Sequence, residues 1–328
     1  MLLRIDHETT LSYSEPATES VVEVRVTPPS TRDQTVLGQR LQVAPAVPLT
    51  AFRDGFGNRA DLFTVFAPHR RITVSASCCV RVERRPGSGR LAEVPWSARP
   101  AVEPEAVEFL RPSSLAGPSA ELHEFLSALP PPAGSVANVV EGLMRAVRSR
   151  LEYRKEVTNA NTPVAESLAL GRGVCQDFAH LLLAAARGVG LPARYISGYV
   201  NEPGEIATHA WCQIWGGPAA GWVDVDPTRG LWVCNDHVVT AVGRDFSDVP
   251  PNRGVWKGGR AEETIGVVVS VRPVEEVPAE LTEPPPAPWV ARAGRGGGAP
   301  SPQQARRGTM RQQQSQQQQT WCNSPDEM

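Results

Sequence analysis

The sequence predicts an α+β protein: an N-terminal antiparallel β-sandwich, then a helix packed against an antiparallel sheet, then a disordered tail. Three observations carry that prediction. Apolar and polar residues alternate along the first 84 residues with the two-residue period of half-buried strands. A glycine-rich approach, Gly171-Arg172-Gly173-Val174, runs into Cys175 and an alanine-rich helical pattern through Ala186, with three strand-like segments behind it. From about Pro273, proline, glycine and glutamine displace the apolar residues that a core requires.

Each element has its own signal. Leu3, Ile5, His7, Thr9, Leu11 and Tyr13 fall on one face of a first strand. Val22, Val24 and Val26 make a second, stopped by Pro28-Pro29, and Leu41 and Val43 a third, stopped by Pro45. Asp54-Gly55-Phe56-Gly57-Asn58 is a hairpin turn cluster, and Leu62 to Phe66 and Ile72 to Val82 complete the set. Residues 1–84 are therefore expected to form one β domain, and residues 85–104 a linker opening on Arg85-Pro86-Gly87-Ser88-Gly89. Helices are expected over Ala106 to Leu110, Glu121 to Leu129 and Val136 to Leu151, the last capped by Ser135. Phe178, Leu181, Leu182 and Ala185 recur at helical spacing behind Cys175, which predicts one buried face, and Gly188 to Pro192 stop that helix. Strands are expected over 193–200, 208–215 and 221–226, and a last one over Ile265 to Val271 closes a core spanning residues 105–272. The tail is expected to fill residues 273–328.

Composition narrows the function classes. The chain has 328 residues, enough for about two domains of ~150 residues. A formal net charge of −2 gives no steering towards nucleic acid or an anionic membrane. No apolar run approaches the ~18 residues of a membrane span. The N-terminus is charged at Arg4 and lacks an apolar signal-peptide stretch, so a cytoplasmic location is expected. Six cysteines in a chain this long give no disulfide framework, and free thiols are expected throughout.

Placement of those thiols is the informative quantity. Cys175 falls in the first turn of its helix, where unpaired N–H groups and the positive end of the helix dipole stabilise a thiolate. His209 follows 34 residues later (209 minus 175), and Asp226 a further 17 (226 minus 209). Adjacent strands would set histidine and aspartate side by side, and a helix docked by its N-terminus would bring the thiol to them. That order suits a nucleophile, a base and an acid that orients the base. Asp224 competes with Asp226, since alternation places both on one strand face. His180 lies five residues along the helix from Cys175, off its face, and reads as a packed histidine. His209-x-x-Cys212 and Cys234-x-x-His237 have zinc-like spacing, yet His209 and Cys212 should point to opposite sides of a strand.

Gly173-Val174-Cys175-Gln176-Asp177-Phe178-Ala179-His180, His209-Ala210-Trp211, and Trp222 with Asp226-Pro227-Thr228 resemble the transglutaminase-like core of bacterial proteins. The resemblance continues through Gly243 to Pro251 and reaches upstream to Asp54 to Asn58 and Pro68-His69, which resemble the β-rich region preceding such cores. It implies a papain-like α+β core with Cys175 as nucleophile, His209 as base and Asp226 as orienting acid. The implied chemistry is acyl transfer from an amide through a thioester: cross-linking, deamidation or peptide hydrolysis. A peptide or protein would be the substrate. No Asp/Glu-dense calcium loop is visible, so no metal or other cofactor is expected. The oxyanion would rest on the Cys175 backbone N–H and one more donor, with Gln176 and Tyr153 as candidates. The alternative is a non-catalytic protein-binding scaffold that keeps the fold.

Overall fold

The alternation from Leu3 to Tyr13 becomes one long strand, β1 (Leu2–Ala17), with Leu3, Ile5, His7, Thr9, Leu11 and Tyr13 buried. The computed structural model describes residues 1–96, 100–202, 208–259 and 261–282. β2 (Glu19–Val24), β3 (Gln34–Ala44), β4 (Thr50–Arg53), β5 (Arg59–Val65) and β6 (His69–Val82) follow. β6 lies between β1 and β3, and β5 between β2 and β4, every pair antiparallel. Leu11, Val22, Val24, Phe63, Ile72 and Val74 meet between the two sheets as one apolar core. The turn over Asp54 to Asn58 is built as its composition predicts. Asp54 Oδ1 accepts the N–H groups of Phe56 and Asn58, and Gly57 takes a φ of +80° that a side chain would resist.

The second half opens with α1 (Ser88–Ala92) and α2 (Pro104–Val107), the latter continued by a 3-10 turn to Leu110. α3 (Ala120–Ser127) is capped by Ser119, and α4 (Val136–Arg150) by Ser135, whose backbone N–H is returned a bond by Asn138. Next come β7 (Glu152–Tyr153), α5 (Val164–Leu170), β8 (Arg172–Gly173) and α6 (Cys175–Gly188). β9 (Ala193–Val200), β10 (Thr208–Trp215), α7 (Gly217–Ala220), β11 (Trp222–Asp226), β12 (Leu231–Trp232) and β13 (His237–Gly243) complete this half. The five strands form an antiparallel sheet ordered β12-β11-β10-β9-β13. α6 is buried along its whole length from Gln176 to Arg187, not on one face only. It lies between α3, α4 and α5 on one side and β9 and β10 on the other, so its alanine-rich side also meets neighbours. Among the described residues, no helix is long and apolar enough to cross a membrane.

Two sequence expectations move at the C-terminal end. β14 (Asn252–Lys257) pairs with β2, and β15 (Glu263–Pro273) with β1, so each joins an N-terminal sheet rather than closing the core. The register sets Ile265, Val267, Val269 and Val271 beside Leu11, Thr9, His7 and Ile5, on the apolar face of β1. Alternation announces such a strand without saying which edge it completes. The final sheets are thus β15-β1-β6-β3 and β14-β2-β5-β4. Past Pro273 the chain still makes α8 (Ala279–Thr282), which buries Leu281 beneath β3 against Gly38. The tail expected to be disordered lies outside the described residues from 283 onward.

The expected linker is also drawn in. Leu91 of α1 is fully buried in the core of the second half, and a Cβ at Gly87 would lie 2.0 Å from Val223 Cγ1, so only glycine fits there. The seam between the halves is hydrogen-bonded. Gln34 gives Nε2 to Val239 O and accepts Val239 N–H, each at 2.8 Å. Asn58 does the same for Val242, at 2.7 and 2.8 Å. Two side-chain amides thereby pair the free edge of β13 as a neighbouring strand would.

Candidate active site

The approach to Cys175 is fixed by two glycines and one acid. Gly171 ends α5 in the left-handed region at φ +67°, and β8 then runs parallel to β7. A Cβ at Gly173 would stand 2.5 Å from Asp177 Oδ2, so the backbone passes directly over that carboxylate. Asp177 Oδ2 accepts the Val174 N–H and the Thr158 hydroxyl, both at 2.7 Å. Burial raises the Asp177 carboxyl to about 6 against the pull of these bonds. Cys175 follows, half-buried, as the first residue of α6, at the positive end of a 14-residue helix. Gln176 points its amide at Ala160 O (3.2 Å) and Asn159 O (3.4 Å), tying the preceding loop to α6. Tyr153 sits on β7 with its ring beside Phe178.

His209 and Asp226 arrive on neighbouring strands. β10 and β11 pair from Trp215 and Trp222 to Cys212 and Val225, which carries the two side chains to one end of the sheet. His209 Nε2 lies 2.7 Å from Asp226 Oδ2. The second oxygen of Asp226 accepts the backbone N–H groups of Thr228 (2.9 Å) and Arg229 (3.1 Å), so the Asp-Pro-Thr turn itself orients the carboxylate. Burial favours the neutral forms of both groups, and the hydrogen bonds outweigh it. The bonds to Asp226 and then to the Cys175 thiol raise His209 to about 10, while those from His209 and His237 hold Asp226 well below the usual carboxylate range. Cys175, His209 and Asp226 therefore form one hydrogen-bonded line.

The competing acid is engaged elsewhere. Asp224 Oδ1 accepts from Trp211 Nε1 (2.8 Å) and Gln213 Nε2 (2.9 Å), and its other oxygen lies 3.6 Å from Arg84 Nε. His180 is fully buried, accepts the Phe246 N–H at 3.2 Å, and is lowered to about 4 by that burial. Cys212 is fully buried and directs its thiol to Ala179 O, away from His209, so that zinc-like spacing does not converge.

His237 is the residue that sequence reasoning missed in this place. It opens β13 fully buried, with Nε2 3.2 Å from Asp226 Oδ2 and Nδ1 2.8 Å from Asp236 Oδ1. The available signal was an Asp-His pair opening a strand eleven residues after Asp226 (237 minus 226). Cys234, its partner in the zinc-like spacing, turns its thiol to Trp232 O. Among the described residues, His209, Asp226 and His237 are the one group of three whose donor atoms, within 4.8 Å of one another, could also surround a cation.

Residues 131–227 match the transglutaminase-like superfamily, and residues 3–81 the bacterial transglutaminase-like N-terminal region. The chain is 33% identical over 282 residues to the uncharacterized protein ML0607 of Mycobacterium leprae, covering 82% of this chain and 98% of that one. It is 34% identical over 295 residues to Rv2569c of Mycobacterium tuberculosis, covering 83% and 93%. A shorter match, 35% over 66 residues, links 17% of this chain to 10% of the protein-glutamine gamma-glutamyltransferase of Pseudomonas aeruginosa. The solved structure of a candidate cysteine protease from Cytophaga hutchinsonii shares the fold, with a TM-score of 0.67 at 21% identity over 85% of this chain and 93% of that one.

Proposed function

Since the chain belongs to the transglutaminase-like superfamily, we propose that it is a cysteine-dependent acyl-transfer enzyme acting on amides of peptides or proteins, with Cys175, His209 and Asp226 as its catalytic line. His209, hydrogen-bonded to the Cys175 thiol, takes its proton and leaves a thiolate beside an imidazolium. The thiolate attacks the amide carbonyl carbon, and the oxyanion forms near the Cys175 N–H at the start of α6. His209 gives its proton to the departing nitrogen as the C–N bond breaks, leaving a thioester and neutral imidazole. Water or an amine then attacks the thioester, His209 takes the proton, and the C–S bond breaks to restore the thiolate. Asp226, held by Thr228 and Arg229, keeps the imidazole in the orientation both steps need.

The observation that carries this reading is the hydrogen-bonded line from a helix-start thiol through His209 to a buried, doubly anchored Asp226. The short match to a glutamyltransferase favours the glutamine γ-carboxamide as the first amide to assay. The test is iodoacetamide labelling of each cysteine across pH, in the parent and in His209→Ala. Cys175 is expected to label fastest well below the ~8.5 of a free thiol, with that advantage lost in the variant. Labelling of Cys175 at the pH and rate of an ordinary exposed thiol in both proteins would refute the assignment.

A further inference from the structure

We infer that His237 is a charged positioning residue: an imidazolium held between Asp226 and Asp236 that shares Asp226 with His209 and so sets how much negative charge His209 meets. The inference rests on the Cys175–His209–Asp226 reading above, and it assigns a role to a side chain outside that line.

The hydrogen-bonding arithmetic requires the charge. Both ring nitrogens of His237 face carboxylate oxygens, Nε2 at 3.2 Å and Nδ1 at 2.8 Å. An ionised carboxylate only accepts, so both nitrogens must carry protons. Neither acid can supply the proton instead. Both already serve as acceptors for other donors, Asp226 for the Thr228 and Arg229 N–H groups and Asp236 for the Arg229 guanidinium. The ring has no exposure, so water cannot stand in for either partner.

The charged neighbours among the described residues fit this assignment. Asp226 comes from β11 and Asp236 from the turn before β13. Arg229 follows β11 and pairs with Asp236 at 2.9 Å and with Glu202 at 3.4 Å. Arg84, from the stretch after β6, donates to the His237 carbonyl at 3.0 Å while facing Asp224, so its charge is directed to the backbone and a third acid. Cys234 is turned to Trp232 O. From β10, the His209 ring lies 5.7 Å away and the Trp211 ring stands edge-on at 5.0 Å, which fixes the plane of His237.

The consequence lies in Asp226 Oδ2, the single oxygen on which both histidines converge. Oδ1 is occupied by two backbone N–H groups, so the histidines divide what remains. A second cation this close lowers the proton affinity of His209, by about one to two pH units for charges ~6 Å apart at an effective dielectric of ~40 to ~20. A packed core histidine without charge would have no such effect.

Long-range 15N–1H spectra of the six histidine rings, recorded on the full chain from pH 6 to 11, test this directly. The expected result is two protonated nitrogens on His237 at pH 7, and a His209 ring that is part-titrated near pH 10 in the parent but still charged there in His237→Gln. A neutral His237 ring at pH 7 in the parent would overturn the proposal, as would an unmoved His209 midpoint. The parent spectrum decides even where His237→Gln does not fold. One equivalent of zinc in the purified protein would also overturn it, because the same donors would then bind an ion. Iodoacetamide labelling of the same samples separates the two readings. Linked ring titrations with an unreactive Cys175 would sink the catalytic assignment and leave the shared carboxylate standing.

Discussion

The two halves of the molecule keep different interiors. Between the N-terminal sheets the core is aliphatic and aromatic, with Leu11, Val22, Phe63 and Ile72 at its centre. Charge enters in two ion-paired places, where Arg25 meets Glu23 and Asp54 and where Arg59 meets the buried Asp61. The helical half buries Asp177, His180, Arg187, Asp224, Asp226, His237 and Asp245 as well as its apolar cluster. Buried ion pairs are weak stabilisers, because desolvation consumes most of the attraction. Their concentration around α6 and the β10–β11 end marks where geometry, rather than net stability, is being specified. The sandwich should therefore answer substitution by volume, and the helical half by which partners are left unpaired.

Arg187 gives the largest expected break in that comparison. Its guanidinium reaches the carbonyls of Phe109, Ala193 and Arg244 and the Ser113 hydroxyl, and joins α6 to β9 and to the loop after β13. Arg187→Ala strands several buried acceptors and should lower the unfolding free energy in urea by about 3–5 kcal/mol. Arg187→Lys should recover little, since a single ammonium cannot span that fork. Ile72→Val, a methylene lost from the sandwich, should cost about 1 kcal/mol. Equal losses for the two sites would mean that the halves are not held differently.

The pH response sharpens the comparison through one histidine on each side. His7 in β1 and His180 in α6 are both fully enclosed, and burial lowers each from 6.5 to about 4. A depressed histidine contributes stability above the unfolded value of ~6.5, lost as pH falls towards 4, about 3 kcal/mol for each at the limit. His209, raised to about 10, has the opposite sign: its contribution is complete below ~6.5 and disappears as pH rises through 10. His7→Gln and His180→Gln should each flatten the acid side of stability against pH. His209→Gln should flatten the alkaline side, and it should also reduce the acid-side contribution of Asp226, which loses the bond from His209.

These contrasts also explain what could be read in the sequence. Alternation and turn chemistry made most strands of the sandwich legible, because a half-buried strand writes its exposure into every second residue; β4, exposed throughout, and β14 were not read. Helix starts at Ser119 and Ser135 follow capping chemistry that is equally local. Pairings were not legible, since β14 and β15 return to β2 and β1 across more than 200 residues of chain. The complete burial of α6 was hidden because alanines read alike on an inward and an outward face. At the candidate site the order of Cys175, His209 and Asp226 was visible, and so was the face that Asp224 and Asp226 share. What separates those two acids is tertiary: Trp211, Gln213 and Arg84 engage one, and His209 the other. His237 stayed hidden because its meaning lies in two carboxylates that only the fold brings to it.

The seam tests whether the two interiors are independent at all. Gln34 belongs to the sandwich by position, yet its amide completes β13, the strand that His237 opens. Gln34→Ala leaves the Val239 N–H and carbonyl without those partners in a closed interface, which should cost about 2 kcal/mol. Hydrogen exchange should then quicken at Val239 more than at Val242, which Asn58 still holds. Gln34→Glu makes the sharper case. Its carboxylate can accept the Val239 N–H but must face the Val239 carbonyl with a second acceptor, and only the protonated acid restores the donor. That variant should be weaker than the parent at pH 7 and recover on acidification, against the trend set by His7 and His180. If neither variant changes exchange along β13, the edge is protected by packing alone. The N-terminal sheets would then support the site by excluding water, not by pairing its outer strand.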